Sequence, residues 1–205
     1  MSSLSKKVSF ADYVFHVYEN VYEPAEDSFL FAENLRVRRE DCILDMGTGC
    51  GILGIIGAEK AAEVFAVDVN PYAVRCAKEN AELNGVLGKM FFIEGDLFTP
   101  IRTGKKFDLI LFNTPYVPTE PAEDVSWLGR SWGGGVNGRQ VIDRFIHDAP
   151  DHLTQCGRIF LMQSTLSRVD ETSKRFRRSG LKTRIVAEHA LPFFETIELL
   201  KAEFR

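Results

Sequence analysis

The chain reads as an α/β protein. Its sheet is mostly parallel and seven-stranded, with helices on both faces and a C-terminal antiparallel hairpin. Three observations lead there. Short apolar runs alternate with helix-like segments along 205 residues, the pattern of successive β-α-β units. The runs are nearly continuous in apolar residues, as strands buried on both faces are. The final segment breaks the alternation, with two strand-like runs and no helix between them.

The elements follow in order. "VYEPAEDSFLFAENL" (21–35) can form a short helix capped by Glu26 or Asp27. "CILDMG" (42–47) reads as the first strand and "ILGIIGAEKA" as the helix after it. "EVFAVDV" (63–69) is the second strand. "PYAVRCAKENAELNG" (71–85) is a helix with Pro in its first turn and Asn-Gly as its stop. "MFFIEGD" (90–96) and "FDLILFN" (107–113) are further strands. "GRQVIDRFIHDAPDHL" (138–153) is a helix, "GRIFLMQS" (157–164) a strand and "RVDETSKRFRRSG" (168–180) a helix. "TRIVAEHAL" and "FETIELLKAEF" supply the closing hairpin. The stretch from Thr114 to Asn137 is long and irregular, a type of connection that is often functional.

Composition is that of an ordinary globular protein: 45% hydrophobic, 26% charged, net charge −4. The acidic balance argues against a general nucleic-acid binder. Cys42, Cys50, Cys76 and Cys156 lack CxxC spacing, so reduced thiols are expected rather than a zinc or redox motif. His16, His147, His152 and His189 lack metal-ligand spacing, and no metal is expected. "MSSLSKKVSFADYVF" has no apolar signal core, and no run approaches a membrane span. A cytoplasmic protein is expected.

"LDMGTGCGILG" ends the first strand. Gly47, Gly49 and Gly51 permit a tight turn close to a ligand, and the next helix offers free N–H groups. Asp68 ends the second strand, where a carboxylate can accept both hydroxyls of a ribose. Asp96 follows the third, within reach of an adenine amine. Gly49 to Gly54 also matches GxGxxG, so a dinucleotide is a rival ligand. Asp45 weighs against it, because it sets negative charge where a pyrophosphate would lie. A cationic ligand such as S-adenosylmethionine suits the loop better. Each aspartate alone could merely cap a loop. Three at successive strand ends beside a glycine turn favour a site.

"NTPY" (113–116) follows the fourth strand. With the glycine loop, it resembles class I S-adenosylmethionine-dependent methyltransferases, and within them the Asn-Pro-Pro-Tyr enzymes that methylate planar amide or amine nitrogens. Thr114 departs from the commonest form. "VYEPAEDSFLF" and "WGGGVNGRQVIDRFI" are similar to the short archaeal and eukaryotic branch of HemK-like glutamine methyltransferases, over roughly residues 20–165.

The resemblance implies a Rossmann-like class I methyltransferase fold in one domain, 1–205. Residues 1–40 would be an N-terminal extension whose helix helps close the cofactor site. It implies S-adenosyl-L-methionine as cofactor, held by Ser28, Asp45, Gly47, Gly49, Gly51, Asp68, Asp96, Leu97 and Asn113. It implies N5-methylation of the glutamine in the Gly-Gly-Gln loop of a class 1 translation release factor. It also implies a small zinc-binding activator subunit that covers an apolar surface by strand pairing.

The chemistry accounts for the motif's residue types. An amide nitrogen is a poor nucleophile, so it must be held in line with an activated methyl. Asn113 can accept one N–H through its side-chain oxygen. The carbonyl of Thr114 or Pro115 can accept the other, with Pro115 restricting the turn. Tyr116 can stack on the planar amide. Two acceptors on one NH₂ favour the charge that develops during attack.

Taken alone, Asn-x-Pro-Tyr is more often an ordinary turn. One alternative function uses the same logic on an exocyclic amine of adenine or guanine in nucleic acid. Another is a binding module without chemistry. Trp127 and Trp132 suit a lid or substrate contact and a hydrophobic clasp equally. Arg139 reads as a surface ion-pair residue. "RVRR" (36–39) and "KRFRR" (174–178) read as a solvated helix end and helix face. Cys50 is not expected to be a nucleophile.

Overall fold

The protein is described by a computed structural model covering residues 5–120 and 126–204. Part of the Thr114–Asn137 connection, residues 121–125, lies outside the described residues.

The parallel strands form where the apolar runs are: β3 (Cys42–Met46), β4 (Glu63–Asp68), β5 (Met90–Glu94), β6 (Phe107–Asn113) and β7 (Leu153–Ser164). They join β8 (Leu181–Ala190) and β9 (Thr196–Phe204) in one sheet of order β5-β4-β3-β6-β7-β9-β8. Neighbours from β5 to β7 are parallel, whereas β9 runs antiparallel to both β7 and β8. The expected seven-stranded sheet and C-terminal hairpin are both present. The hairpin does not simply append to the edge, since β9 inserts beside β7 and leaves β8 outermost.

Ile43, Leu44, Leu109, Ile110, Leu111, Ile159 and Leu161 are fully buried along the three central strands. Each side chain of this kind contributes about 1.5–3 kcal/mol on burial. The helices are α1 (Glu26–Asn34), α2 (Ile52–Ala58), α3 (Pro71–Leu83), α4 (Trp127–Trp132), α5 (Gln140–Asp148) and α6 (Val169–Arg178). Asn70 caps α3 by accepting from the Tyr72 N–H at 3.0 Å, Pro71 takes its first turn, and Gly85 follows its C-cap at φ 73°.

Three expectations are corrected. The N-cap of α1 is Ala25, and it makes no side-chain cap bond. Asp27 instead turns inward, where other groups compete for its oxygens. Helix α5 starts at Gln140, because residues before it bend back to pair Gly133 with Val117. Arg139 is buried rather than on the surface. Its guanidinium donates to the Ser167 and Arg168 carbonyls at 2.5 and 2.9 Å and pairs with Asp143 at 2.7 Å, clamping the turn after β7.

A hairpin absent from the sequence reading precedes all of this: β1 (Ser5–Phe10) with β2 (Tyr13–Tyr18). Phe15 and Val17 alternate inward from β2. Its backbone edge is satisfied by two side chains of α3 rather than by a strand. Asn80 accepts from the His16 N–H at 2.8 Å and donates to the His16 carbonyl at 2.8 Å. Asn84, one turn on, repeats this with Val14 at 3.1 and 2.8 Å. Asn80 also donates to the Cys50 carbonyl at 2.9 Å, so one side chain ties hairpin, helix and glycine loop together. Among the described residues, no helix is long and apolar enough to cross a membrane.

Candidate active site

The carboxyl ends of β3, β4, β5 and β6 surround a cavity of about 500 Å³. Parallel sheets bind ligands at this end. Ser28, Asp45, Gly47, Gly49, Asp68, Asp96, Leu97, Asn113, Pro115 and Tyr116 all line it. Gly51 does not. A side chain there would meet Ile55 and Ala77 at 2.9 and 3.1 Å, so this glycine serves helix packing rather than ligand contact. Gly49 is the open position of the loop: at φ 57°, a Cβ on it would meet nothing within 4 Å.

The first half of the cavity is self-satisfied. Asp45 is buried and one of its oxygens accepts from the Thr48 hydroxyl at 2.6 Å and the Gly54 N–H at 3.0 Å. Burial pushes its carboxyl up to about 7, although both bonds pull the other way. Asp68 accepts from the Gly49 N–H at 2.9 Å and from the Asn70 N–H at 2.9 Å, and burial raises its pKa. These bonds set the loop against β4 and aim the carboxylate along it. Asp96 lies at the rim, where Arg144 of α5 donates to it at 2.6 Å. Leu97 follows in the left-handed region at φ 48°.

The second half is built around Asp27, which the sequence reading assigned only to a cap. One Asp27 oxygen accepts from the Ser28 N–H at 2.6 Å, the Ser28 hydroxyl at 3.1 Å and the Tyr22 hydroxyl at 3.3 Å. The other accepts from the Asn113 amide at 3.0 Å and the Tyr116 hydroxyl at 3.4 Å. The Asn113 amide also donates to the Ser28 hydroxyl at 3.3 Å. Asn113 therefore spends its NH₂ on α1, and its oxygen Oδ1 is buried with no partner. Such orphans are uncommon in native proteins. Burial and the Asp27 charge raise the pKa of both Tyr22 and Tyr116, so both hydroxyls remain donors.

Thr114 turns its hydroxyl to the Met162 carbonyl at 2.8 Å, buried, and so ties the motif to β7. The departure from the commoner proline is accommodated structurally. The Pro115 carbonyl lies against Gly134, which has no side chain to meet it. Trp127, Arg130 and Trp132 of α4 form the outer wall, with Arg130 stacked over Trp127 at 5.2 Å. Arg144, Tyr22 and Asp27 are the site residues the sequence did not reveal. Cys50 is buried deeply enough to stay a thiol. Among the described residues no group of three or more His, Cys, Asp or Glu is placed to hold a metal.

This sheet is that of a class I methyltransferase. The family described as the methyltransferase small domain matches residues 22–127. A candidate protein N5-glutamine methyltransferase of Methanocaldococcus jannaschii is 43% identical over 181 residues, 87% of this chain and 90% of that one. Methyltransferase HEMK2 of Homo sapiens is 33% identical over 198 residues, 90% of each chain. The solved E. cuniculi Mtq2–Trm112 complex, responsible for methylation of the eRF1 translation termination factor, matches with a TM-score of 0.68 at 26% identity. It covers 91% of this chain and 99% of that one. The chain belongs to the methyltransferase small-domain family and, within it, to the HemK-like N-methyltransferases.

Proposed function

We propose that this enzyme transfers a methyl group from S-adenosyl-L-methionine to the side-chain nitrogen of the glutamine in the Gly-Gly-Gln loop of a class 1 release factor, in the cytoplasm. The observation that carries the chemistry is the orphaned Oδ1 of Asn113. An acceptor whose own NH₂ is already committed to a carboxylate suits the N–H of a planar NH₂, in an amide or a base amine alike. Glutamine is chosen over a nucleobase because the relatives are named as N5-glutamine and eRF1 methyltransferases.

The cavity's first half fits the cofactor. Asp68 suits the ribose hydroxyls, Asp96 and Leu97 the adenine, and Asp45 with Gly47 and Gly49 the cationic methionine end. A pyrophosphate suits this set poorly, because Asp45 and Asp68 both face the loop. When bound, S-adenosylmethionine supplies an activated methyl on a sulfonium.

The chain's own residues then do three things. Asn113 Oδ1 accepts one substrate N–H. Its strength as an acceptor is raised because its NH₂ donates to the Asp27 carboxylate. The carbonyl of Thr114 or Pro115 accepts the second N–H, and the Tyr116 ring lies against the amide plane. Together they orient the nitrogen and stabilise the positive charge it gains, a type of effect worth about 10²–10³-fold per group. No base is needed before transfer, and the extra proton leaves afterwards. Helix α1, carrying Asp27 and Ser28, closes the site from the N-terminal side.

The E. cuniculi complex supports a second component. We assign this enzyme a small zinc-binding activator that pairs with an exposed strand. Edge strand β5, with Phe91 half-exposed, offers such a place. The test is transfer of labelled methyl to purified release factor beside tRNA, rRNA and DNA, with and without the activator. Label in the release factor is expected. Label only in nucleic acid would replace this reading with the exocyclic-amine one.

A further inference from the structure

The turn joining β8 to β9 carries the most exposed apolar residues described. Phe193 and Phe194 are fully open to solvent. Both occupy the left-handed region, at φ 63° and 66°. That conformation is uncommon for bulky side chains and persists only where neighbours impose it. Here the turn is closed at its base, where the Leu191 N–H donates to the Glu195 carbonyl at 2.8 Å. The Thr196 N–H donates to the Thr165 hydroxyl at 3.1 Å, anchoring the turn to the segment after β7.

This turn belongs to the catalytic face. Ile197 of β9 pairs with Ser164, two residues beyond Met162, which itself pairs with Asn113. The Glu195 carboxylate is close enough to Tyr116 to raise its pKa. Two further exposed apolar side chains lie along the same path. Leu166 follows Thr165, and Val136 sits in the loop whose Gly138 backs onto the Tyr116 carbonyl and Ser167. These exposed residues therefore sit on loops that border Tyr116. Glu188 is exposed at the end of β8, opposite Glu198.

We infer that Phe193 and Phe194, with Leu166 and Val136, form the docking surface for the release factor beside its methylated loop. The inference rests on the function proposed above. Asn113 lines a recessed cavity, so only a protruding loop can enter beside it, and the body carrying that loop must rest on the rim. The rim next to Tyr116 is apolar, with Glu188 and Glu195 but also Arg168 and His189 at its margin, which fits a partner surface that is mainly apolar with charges of both signs. A few exposed aromatics commonly carry most of such a contact.

The test is a Phe193→Ser/Phe194→Ser variant assayed with intact release factor. KM is expected to rise about tenfold or more with kcat preserved. Cofactor affinity and melting temperature should match wild type, since neither side chain is buried. Phe193→Leu/Phe194→Leu should recover part of the loss. An unchanged KM would overturn the inference. So would a fall in kcat alone, which would place the turn in the chemistry. Loss of activator binding in place of substrate binding would assign the surface to that subunit. If the wild-type enzyme itself leaves release factor unmodified, the proposed function fails instead, and the docking role falls with it.

Discussion

The two halves of the cavity are built on opposite principles. On the glycine-loop side every carboxylate is engaged by the chain itself: Asp45 by Thr48 and Gly54, Asp68 by Gly49 and Asn70. On the Asn113 side a network of donors converges on Asp27 and leaves one acceptor, Oδ1, with nothing. The first half is a cradle that holds its shape before a ligand arrives. The second is incomplete until a donor enters. On the proposed function the finished half is the one that binds cofactor, and the unfinished half is the one that acts on the substrate nitrogen.

Substitutions should separate the two halves. Asn113→Ala should have the largest effect, lowering kcat for release factor by about 10²–10³-fold. Equal loss of cofactor affinity would erase the division between the halves. Asp27→Ala should come next. It frees the Asn113 amide to rotate, and misplacement of that kind costs up to about 10²-fold. Steady-state kinetics would check it, and an unaltered rate would show that Asn113 holds itself.

Asp68→Ala should act on the other half, weakening S-adenosylmethionine by roughly 10–100-fold, as loss of charge-assisted hydrogen bonds does. Calorimetry measures this, and unchanged affinity would remove the ribose role.

Asp45 gives a pH signature. Its folded pKa is raised to about 7, so it contributes stability when protonated. That contribution is lost as pH rises from the ordinary carboxylate range through about 7. A cationic ligand prefers the ionised form. Cofactor affinity should therefore climb with pH up to about 7 and then level off, with proton release below 7 seen by calorimetry in different buffers. Asp45→Asn should flatten that pH profile.

The smallest effect is expected at Thr114. Thr114→Val loses the bond to the Met162 carbonyl and should cost about 1 kcal/mol of stability. Activity at moderate temperature should persist, as thermal melts beside kinetics would show.

The same contrast explains what the sequence makes legible. The strands are local: an apolar run such as "FDLILFN" announces β6 directly. The glycine loop and Asp68 are also local, spaced along one β-α-β unit. Asp27 and Asn113 lie 86 residues apart, and nothing in either stretch reveals the bond between them. Arg144 and Asp96 are 48 apart and equally silent. The β1–β2 hairpin escapes for another reason. Its partner edge is Asn80 and Asn84, side chains of a helix that reads from sequence as plain polar positions. Arg139 misleads because its exposure is decided by carbonyls of the turn after β7, 28 and 29 residues on. What periodicity and turn chemistry encode is visible, and what tertiary hydrogen bonding creates is not.

The proposed function stands or falls on the atom that is methylated, the planar amide nitrogen of a glutamine. Its most direct test is fragment mass spectrometry of release factor after reaction with S-adenosylmethionine and wild-type enzyme. One methyl is expected, on the side-chain nitrogen of the Gly-Gly-Gln glutamine, and it should be absent when that glutamine is replaced. A methyl on a lysine or a backbone terminus, with the glutamine unmodified, would contradict it.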